Sequence, residues 1–334
     1  MVDPFGELNL PGYLILATLR FGRRSRVYRG VREADARPVI LKAPAITTSA
    51  LRDLRSLQRE HALLVDLDLP GVIRSYGLES AEHLPVLVLE DFGGQALAQL
   101  PKPLEIGFFL ELAIEIAGTL AEIHSCNVIH KDINPTNILY SAETDEVKLI
   151  DFEISTRLSR EVLSIKHPSQ LEGTLAYMSP EQTGRMNRSL DYRSDFYSLG
   201  ASFYELLTGH LPYPTQDLLE LVHCHLARKP LPPRQWRPEI PAALAAIVLK
   251  LMAKNAEDRY QSAWGLQADL RRVQQGLASR RAAAPDGALD LDQVAGVGQA
   301  FELEQTFELG QQDRCDRSPF AASSMDAIAK SPNC

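Results

Sequence analysis

Asp132, Asn137 and Asp151 are residues whose types and spacing suit phosphoryl-transfer chemistry. Asp132 lies in His130-Lys131-Asp132-Ile133-Asn134-Pro135-Thr136-Asn137, and Asp151 follows the apolar Leu149-Ile150 and opens Asp151-Phe152-Glu153. A carboxylate can accept or orient a hydroxyl proton. An amide oxygen and a second carboxylate are hard donors of the kind Mg²⁺ takes. Together they supply what metal-dependent phosphoryl transfer requires: a group to orient the acceptor and two to hold the cation that neutralises phosphate charge. An H-x-D triplet alone reads as a turn; the Asn five residues on and the later Asp-Phe make the pattern specific. Lys42 ends the apolar run Val39-Ile40-Leu41. A buried ammonium there needs anionic partners. Glu60 shares a helix face with Leu57 and Leu64, so its carboxylate points where a cation should be.

The elements that must hold these groups follow from hydrophobic patterning. Short apolar runs at 13–19, 26–31, 38–42 and 84–90 predict strands, with a turn over 33–37 and a break at Gly93-Gly94. Leu51, Leu54, Leu57 and Leu64 predict a helix over 50–66. Beyond Gly94 the pattern becomes helical. Residues 104–124 are apolar except for a stripe of Glu111, Glu115 and Glu122, which predicts a largely buried helix. A second runs over 195–207 and stops at Gly209, with others at 218–227, 242–253 and 262–276. The irregular stretch 151–181 is too long for an ordinary connection and reads as functional. After Gly276 periodicity fades, and 318–334 is a polar, small-residue tail.

Composition narrows the class. A length of 334 residues predicts two domains, or one large domain with a tail. With 45% hydrophobic and 23% charged residues the chain is too apolar for global disorder. A net charge of -8 argues against nucleic-acid binding by overall basicity. No apolar run approaches the roughly 20 residues that span a bilayer, so no membrane insertion is expected. The first residues lack a signal peptide's basic start and apolar core. Cys126, Cys224, Cys315 and Cys334 are scattered without the spacing of a disulfide framework. A cytoplasmic setting is expected. There is no internal repeat and no P-loop. His223-Cys224-His225 is not expected to bind metal, because alternate helix residues do not share a face.

The ordered set of motifs resembles the eukaryotic-type Ser/Thr protein kinases over about 8–276. It comprises Val39-Ile40-Leu41-Lys42, the helix Glu60, the Asp132–Asn137 motif and Asp151-Phe152-Glu153. Gly173 to Glu181, Asp195 to Gly200 and Asp258-Arg259-Tyr260 complete it. The resemblance implies an α+β, two-lobed fold: a small β-rich N-lobe at 8–92, a larger helical C-lobe at 93–276, and a linker-like tail at 277–334. It implies ATP and Mg²⁺ as cofactors and a protein as substrate. Lys42, paired with Glu60, would hold the α- and β-phosphates. Asp132 would position the acceptor hydroxyl, and Asn137 and Asp151 would hold Mg²⁺. Backbone groups of Glu90 and Phe92 would meet adenine, with Leu19, Val27, Ile40 and Leu139 around the base. Gly22 belongs to the phosphate loop. Thr174 would bond to the catalytic Asp, and Asn134 would stand near the γ-phosphate. Glu181 would pair with Arg259, and Asp195 would anchor the catalytic-loop backbone.

Several positions depart from the family pattern. Arg20 and Ser25 replace two of three loop glycines, leaving Gly22. Lys131 stands for an Arg, Asn134 for a Lys and Glu153 for the Gly after Asp-Phe. Asn134 removes positive charge where phosphate charge builds up, and Glu153 adds a carboxylate beside the metal. These changes motivate two rivals, a nucleotide-binding pseudokinase and a purely structural adaptor. Pro180 to Arg188 and Asp191 to Asp195 resemble the N-terminal kinase module of large bacterial sensor proteins that carry AAA-type ATPase, GAF and histidine-kinase parts. That likeness extends to 307–313 and implies sensor or histidine-kinase signalling partners.

Overall fold

The computed structural model describes residues 8–22, 25–45, 50–81, 84–157, 175–185 and 189–283. Five of the strands form one antiparallel sheet: β1 (Tyr13–Phe21), β2 (Ser25–Arg32), β3 (Arg37–Pro44), and, after helix α1 (Ala50–Leu67), β4 (Ser75–Ala81) and β5 (Leu84–Glu90). Their order is β1-β2-β3-β5-β4. Alternation along the strands decides what each face meets. Val39, Leu41, Val86 and Val88 join Tyr28 in a small core on one face. Leu87 and Leu89 point the other way, into the large core shared with α1. Lys42 pairs in register with Leu87 and so lies on this second face.

The rest is mainly helical. After β6 (Gln95–Ala96) come α2 (Ile106–Ser125), β7 (Val128–Ile129), β8 (Ile138–Ser141), β9 (Glu146–Leu149) and β10 (Thr156–Arg157). Helices α3 (Arg193–Thr208), α4 (Leu218–Ala227), α5 (Pro233–Trp236), α6 (Ala242–Leu251) and α7 (Ala263–Ala283) complete the lobe. Helix α2 starts where the Glu105 carboxylate accepts the Phe108 N–H at 2.9 Å. It packs on α7. Helix α3 is buried along most of its length and ends, as its sequence predicts, on Gly209 at φ 75°.

The expected two-lobed α+β architecture is what is observed. Backbone bonds stitch the lobes together at the turn before β4: Ile73 N–H donates to Leu149 C=O at 3.0 Å, and Leu149 N–H to Gly71 C=O at 2.8 Å. A Cβ on Gly71 would lie 2.0 Å from Thr119 Oγ1, which explains a glycine in that turn. Helix α7 runs through Gly276 to Ala283, past the point where sequence periodicity fades. Strands β4, β6, β7, β9 and β10 are not evident from patterning. Cys224 is a free, buried thiol. Among the described residues no helix is long and apolar enough to cross a membrane. Residues 284–334, including the linker-like 307–313, lie outside the described residues.

Candidate active site

Three elements meet at Lys42. Its Nζ lies 2.8 Å from Glu60 Oε2, 2.8 Å from Asp151 Oδ1 and 3.5 Å from Glu153 Oε2. Lys42 comes from β3, Glu60 from α1, and the other two from the turn after β9. The second Glu60 oxygen accepts the Phe152 N–H at 3.2 Å, so one carboxylate holds both the ammonium and the backbone beside Asp151. Burial alone would push the Lys42 ammonium below its ordinary value, but the Glu60, Asp151 and Glu153 carboxylates outweigh it and hold it above. Burial raises Glu60 against the pull of Lys42. For Asp151, burial acts upward and Lys42 downward, and Lys42 prevails.

A second cluster surrounds Asp132. Asn137 Nδ2 donates to the Asp132 carbonyl at 2.9 Å and to its Oδ2 at 3.0 Å. Asn134 Nδ2 donates to the same carbonyl at 3.0 Å and to Oδ1 at 3.1 Å. Asn134 Oδ1 accepts the Thr136 N–H at 2.9 Å. Both asparagines are buried. Asn134 is therefore a bracket for Asp132 and its loop as well as a replacement for a cation.

The two clusters are joined. His130 Nε2–H donates to Ile150 C=O at 3.1 Å, and its ring packs on Phe152 with centroids 4.6 Å apart. Ile150 N–H donates to Asn137 C=O at 3.0 Å. Beneath them, Asp195 near the start of α3 accepts the His130 and Lys131 N–H groups at 2.9 and 2.7 Å. His124 Nε2 sits 2.9 Å from the same carboxylate. Burial would push Asp195 up, but the bonds and charge of His124 and His130 hold it below its ordinary value. Lys131 and Asp151 both adopt left-handed backbone, φ 69° and 67°. Such geometry in residues other than glycine persists where the surroundings over-determine it.

Glu181 and Arg259 form the expected pair, buried and two-pronged at 2.6 and 2.9 Å, with Ser194 Oγ donating to Glu181 at 2.7 Å. Arg259 also donates to the carbonyls of Ala253, Arg193 and Lys254.

The residues expected around the base are less uniform. Glu90 ends β5 and takes Lys148 Nζ at 2.7 Å, while that ammonium lies 5.1 Å from the Phe92 ring centroid. Val27 pairs with Lys42, Ile40 with Arg29, and Leu139 with Ala96 and Lys148. Ile40 packs on the large core. Leu19 falls in a register irregularity of β1 and is 48% exposed. Gly22 N–H donates to Ser25 C=O at 2.9 Å and closes the β1–β2 hairpin. A Cβ there would lie 2.8 Å from that carbonyl oxygen. Thr174 lies outside the described residues, as do residues 186–188. Sequence reasoning missed two contacts: Arg20 reaching to 3.9 Å from Asp151 Oδ2, and the bridging role of Gln182. Arg20 carried a signal, a cation at a glycine position; Gln182 carried none.

The donor set suits a magnesium nucleotide. With Asn137 Nδ2 committed to Asp132, its amide oxygen is a hard acceptor of the kind Mg²⁺ takes, as are the oxygens of the Asp151 carboxylate. Lys42 supplies a buried, firmly protonated cation beside it.

Comparisons with known proteins point the same way. The protein kinase domain family matches residues 13–269. The chain is 33% identical over 275 residues to serine/threonine-protein kinase PknB of Mycobacterium leprae, which covers 80% of this chain and 42% of that protein. It is 29% identical over 267 residues to serine/threonine-protein kinase Pkn1 of Myxococcus xanthus, covering 78% of this chain and 38% of the relative. It is 30% identical over 221 residues to serine/threonine-protein kinase PrkC of Bacillus subtilis, covering 65% and 33%. The chain thus spans less than half the length of these relatives.

Proposed function

The chain belongs to the protein kinase domain family, and from that premise we propose that it transfers the γ-phosphate of Mg-ATP to a serine or threonine hydroxyl of a protein. The observation that carries this reading is the assembled Lys42–Glu60–Asp151 network, at 2.8 Å on both arms, beside a bracketed Asp132. When bound, the magnesium nucleotide supplies the phosphoryl group and offsets the charge on its oxygens. Asn137 and Asp151 would hold the cation, and Lys42 the phosphates. The Glu90 and Phe92 backbone would receive the base among Leu19, Val27, Ile40 and Leu139. Asp132 accepts the proton of the acceptor hydroxyl, oriented by Asn134 and Asn137. The proposed setting is cytoplasmic. The likeness of 180–188 and 191–195 to the kinase modules of large bacterial sensor proteins supports sensor or histidine-kinase signalling partners.

The test is Asp132→Asn. It removes the proton acceptor while keeping shape. Radiolabel transfer from ATP to a generic protein substrate should disappear, while the thermal shift induced by Mg-ATP should persist. Equal transfer by wild type and variant refutes the mechanism. A wild type that shows the thermal shift but no transfer favours the pseudokinase, whose motivation is the Glu153 carboxylate 3.5 Å from Lys42.

A further inference from the structure

Gln182 lies in the short turn Glu181–Thr183, on the segment that follows the irregular stretch and precedes α3. Its Oε1 accepts the Ser179 N–H at 3.0 Å, and its Nε2 donates to the Lys131 C=O at 2.7 Å. A backbone N–H can only donate and a carbonyl can only accept, so the amide has one orientation that satisfies both. Lys131 is thereby held from two sides. Its N–H donates to Asp195 at 2.7 Å, from α3, and its C=O accepts from Gln182. Its φ of 69° is a conformation that a residue other than glycine keeps only under such restraint.

The Lys131 carbonyl is one end of the peptide unit whose other end is the Asp132 nitrogen, and a peptide unit is planar. Fixing that carbonyl fixes the plane from which the Asp132 side chain departs. Asn134 and Asn137 then bracket the carboxylate from the far side. We infer that Gln182 is a positioning residue: it ties the orientation of the Lys131–Asp132 peptide, and so the Asp132 carboxylate, to the seating of the 175–185 segment. The inference rests on the phosphotransfer reading for its kinetic consequence. It adds that the catalytic loop senses the neighbouring segment through a side-chain amide. If that segment lifts, the Lys131 carbonyl loses its donor and Asp132 loses its fixed origin, although Lys42, Glu60 and Asp151 are untouched.

Gln182→Glu separates this role from simple packing. The variant keeps an acceptor for Ser179 and loses the donor to Lys131 while its carboxyl is ionised. When protonated, the carboxyl can donate again. At pH 8 its kcat should fall about tenfold, the worth of one hydrogen bond, with KM for ATP unchanged. The ratio of variant to wild-type kcat should recover as pH falls toward the carboxyl range. Gln182→Met, which has no donor at any pH, should show the loss without the recovery. An arm independent of turnover uses the Asp132 amide resonance in nitrogen-15 NMR of the full chain without nucleotide. It should move in both variants and return toward the wild-type position at low pH only in Gln182→Glu. A wild type without phosphotransfer defeats the function proposed above while the resonance still decides the tie. Wild-type kcat in both variants with an unmoved resonance overturns the inference, as does a loss in Gln182→Glu identical at every pH.

Discussion

Lowering the pH from 7 to 4 should withdraw stability through His225. This residue on α4 is buried, its Nε2–H donates to the Leu175 carbonyl at 2.9 Å, and its Nδ1 accepts from the Tyr197 hydroxyl at 3.0 Å. Both nitrogens are therefore satisfied in the neutral ring. A second proton would have to enter between Nδ1 and Tyr197, with Lys254 Nζ already 3.1 Å from that hydroxyl. Burial pushes His225 from 6.5 down to about 4, and the Lys254 charge acts in the same direction. The unfolded chain takes up its proton near 6.5, so between 6.5 and 4 it binds more protons than the folded chain. Stability must then fall as pH falls through that window. The gap corresponds to about 3 kcal/mol when complete, from about 1.4 kcal/mol per pH unit. Urea unfolding at closely spaced pH values reads the slope, and His225→Gln should flatten it relative to wild type. The His225 imidazole signals should show no titration near 6.5 in the folded chain. A His225 resonance titrating near 6.5 in the folded protein, or an equal slope in the variant, refutes the reasoning.

Three further outcomes follow from packing and charge. Glu153→Gln removes one of three carboxylates around Lys42. It should lower KM for ATP about tenfold by relieving repulsion of phosphate, a gain of about 1.4 kcal/mol, and steady-state kinetics at fixed Mg²⁺ would show it. Arg259→Met leaves the buried Glu181 carboxylate uncompensated and should destabilise by about 3–5 kcal/mol. Denaturant unfolding should then find the Arg259→Met, Glu181→Leu double variant less damaged than the sum of the single changes. Gly71→Ala presses a methyl into Thr119 and should lose about 1–3 kcal/mol in thermal unfolding, with Thr119→Ala restoring only part of it, because the Cβ at 119 would still lie 2.8 Å from the new methyl.

What sequence could reveal here was set by whether a group's partner was local or implied by motif order. The Lys42–Glu60 pair was legible because an ammonium at the end of an apolar strand and a carboxylate on an apolar helix face each demand a partner. The Glu181–Arg259 pair and the Asp195 anchor were legible only through the resemblance, since 78 and 65 residues separate their ends. Helices α2 and α3 were readable from periodicity and from Gly209. Strand β4, with mixed small and polar residues, has no clean alternation, and β9 and β10 are too short to show one. Asn134 illustrates a deeper limit. In sequence it is a missing cation; in the fold it is a buried amide that brackets Asp132 and caps Thr136. Replacing it by Lys would put an ammonium where two acceptors and two donors are now satisfied.

Glu60 has a consequence that reaches beyond its pair. Its two oxygens serve different lobes, one taking the Lys42 ammonium and the other the Phe152 N–H. The position of α1 is thus written into the energy of both. Any ligand that binds better when Lys42 and Asp151 are in register must, by thermodynamic reciprocity, favour this setting of α1 by the same free energy. Conversely, a partner that touches only the outer surface of α1 can raise or lower the affinity of such a ligand. It need only favour one setting of the helix over another. The carboxylate is small, but it makes the helix a lever with two ends.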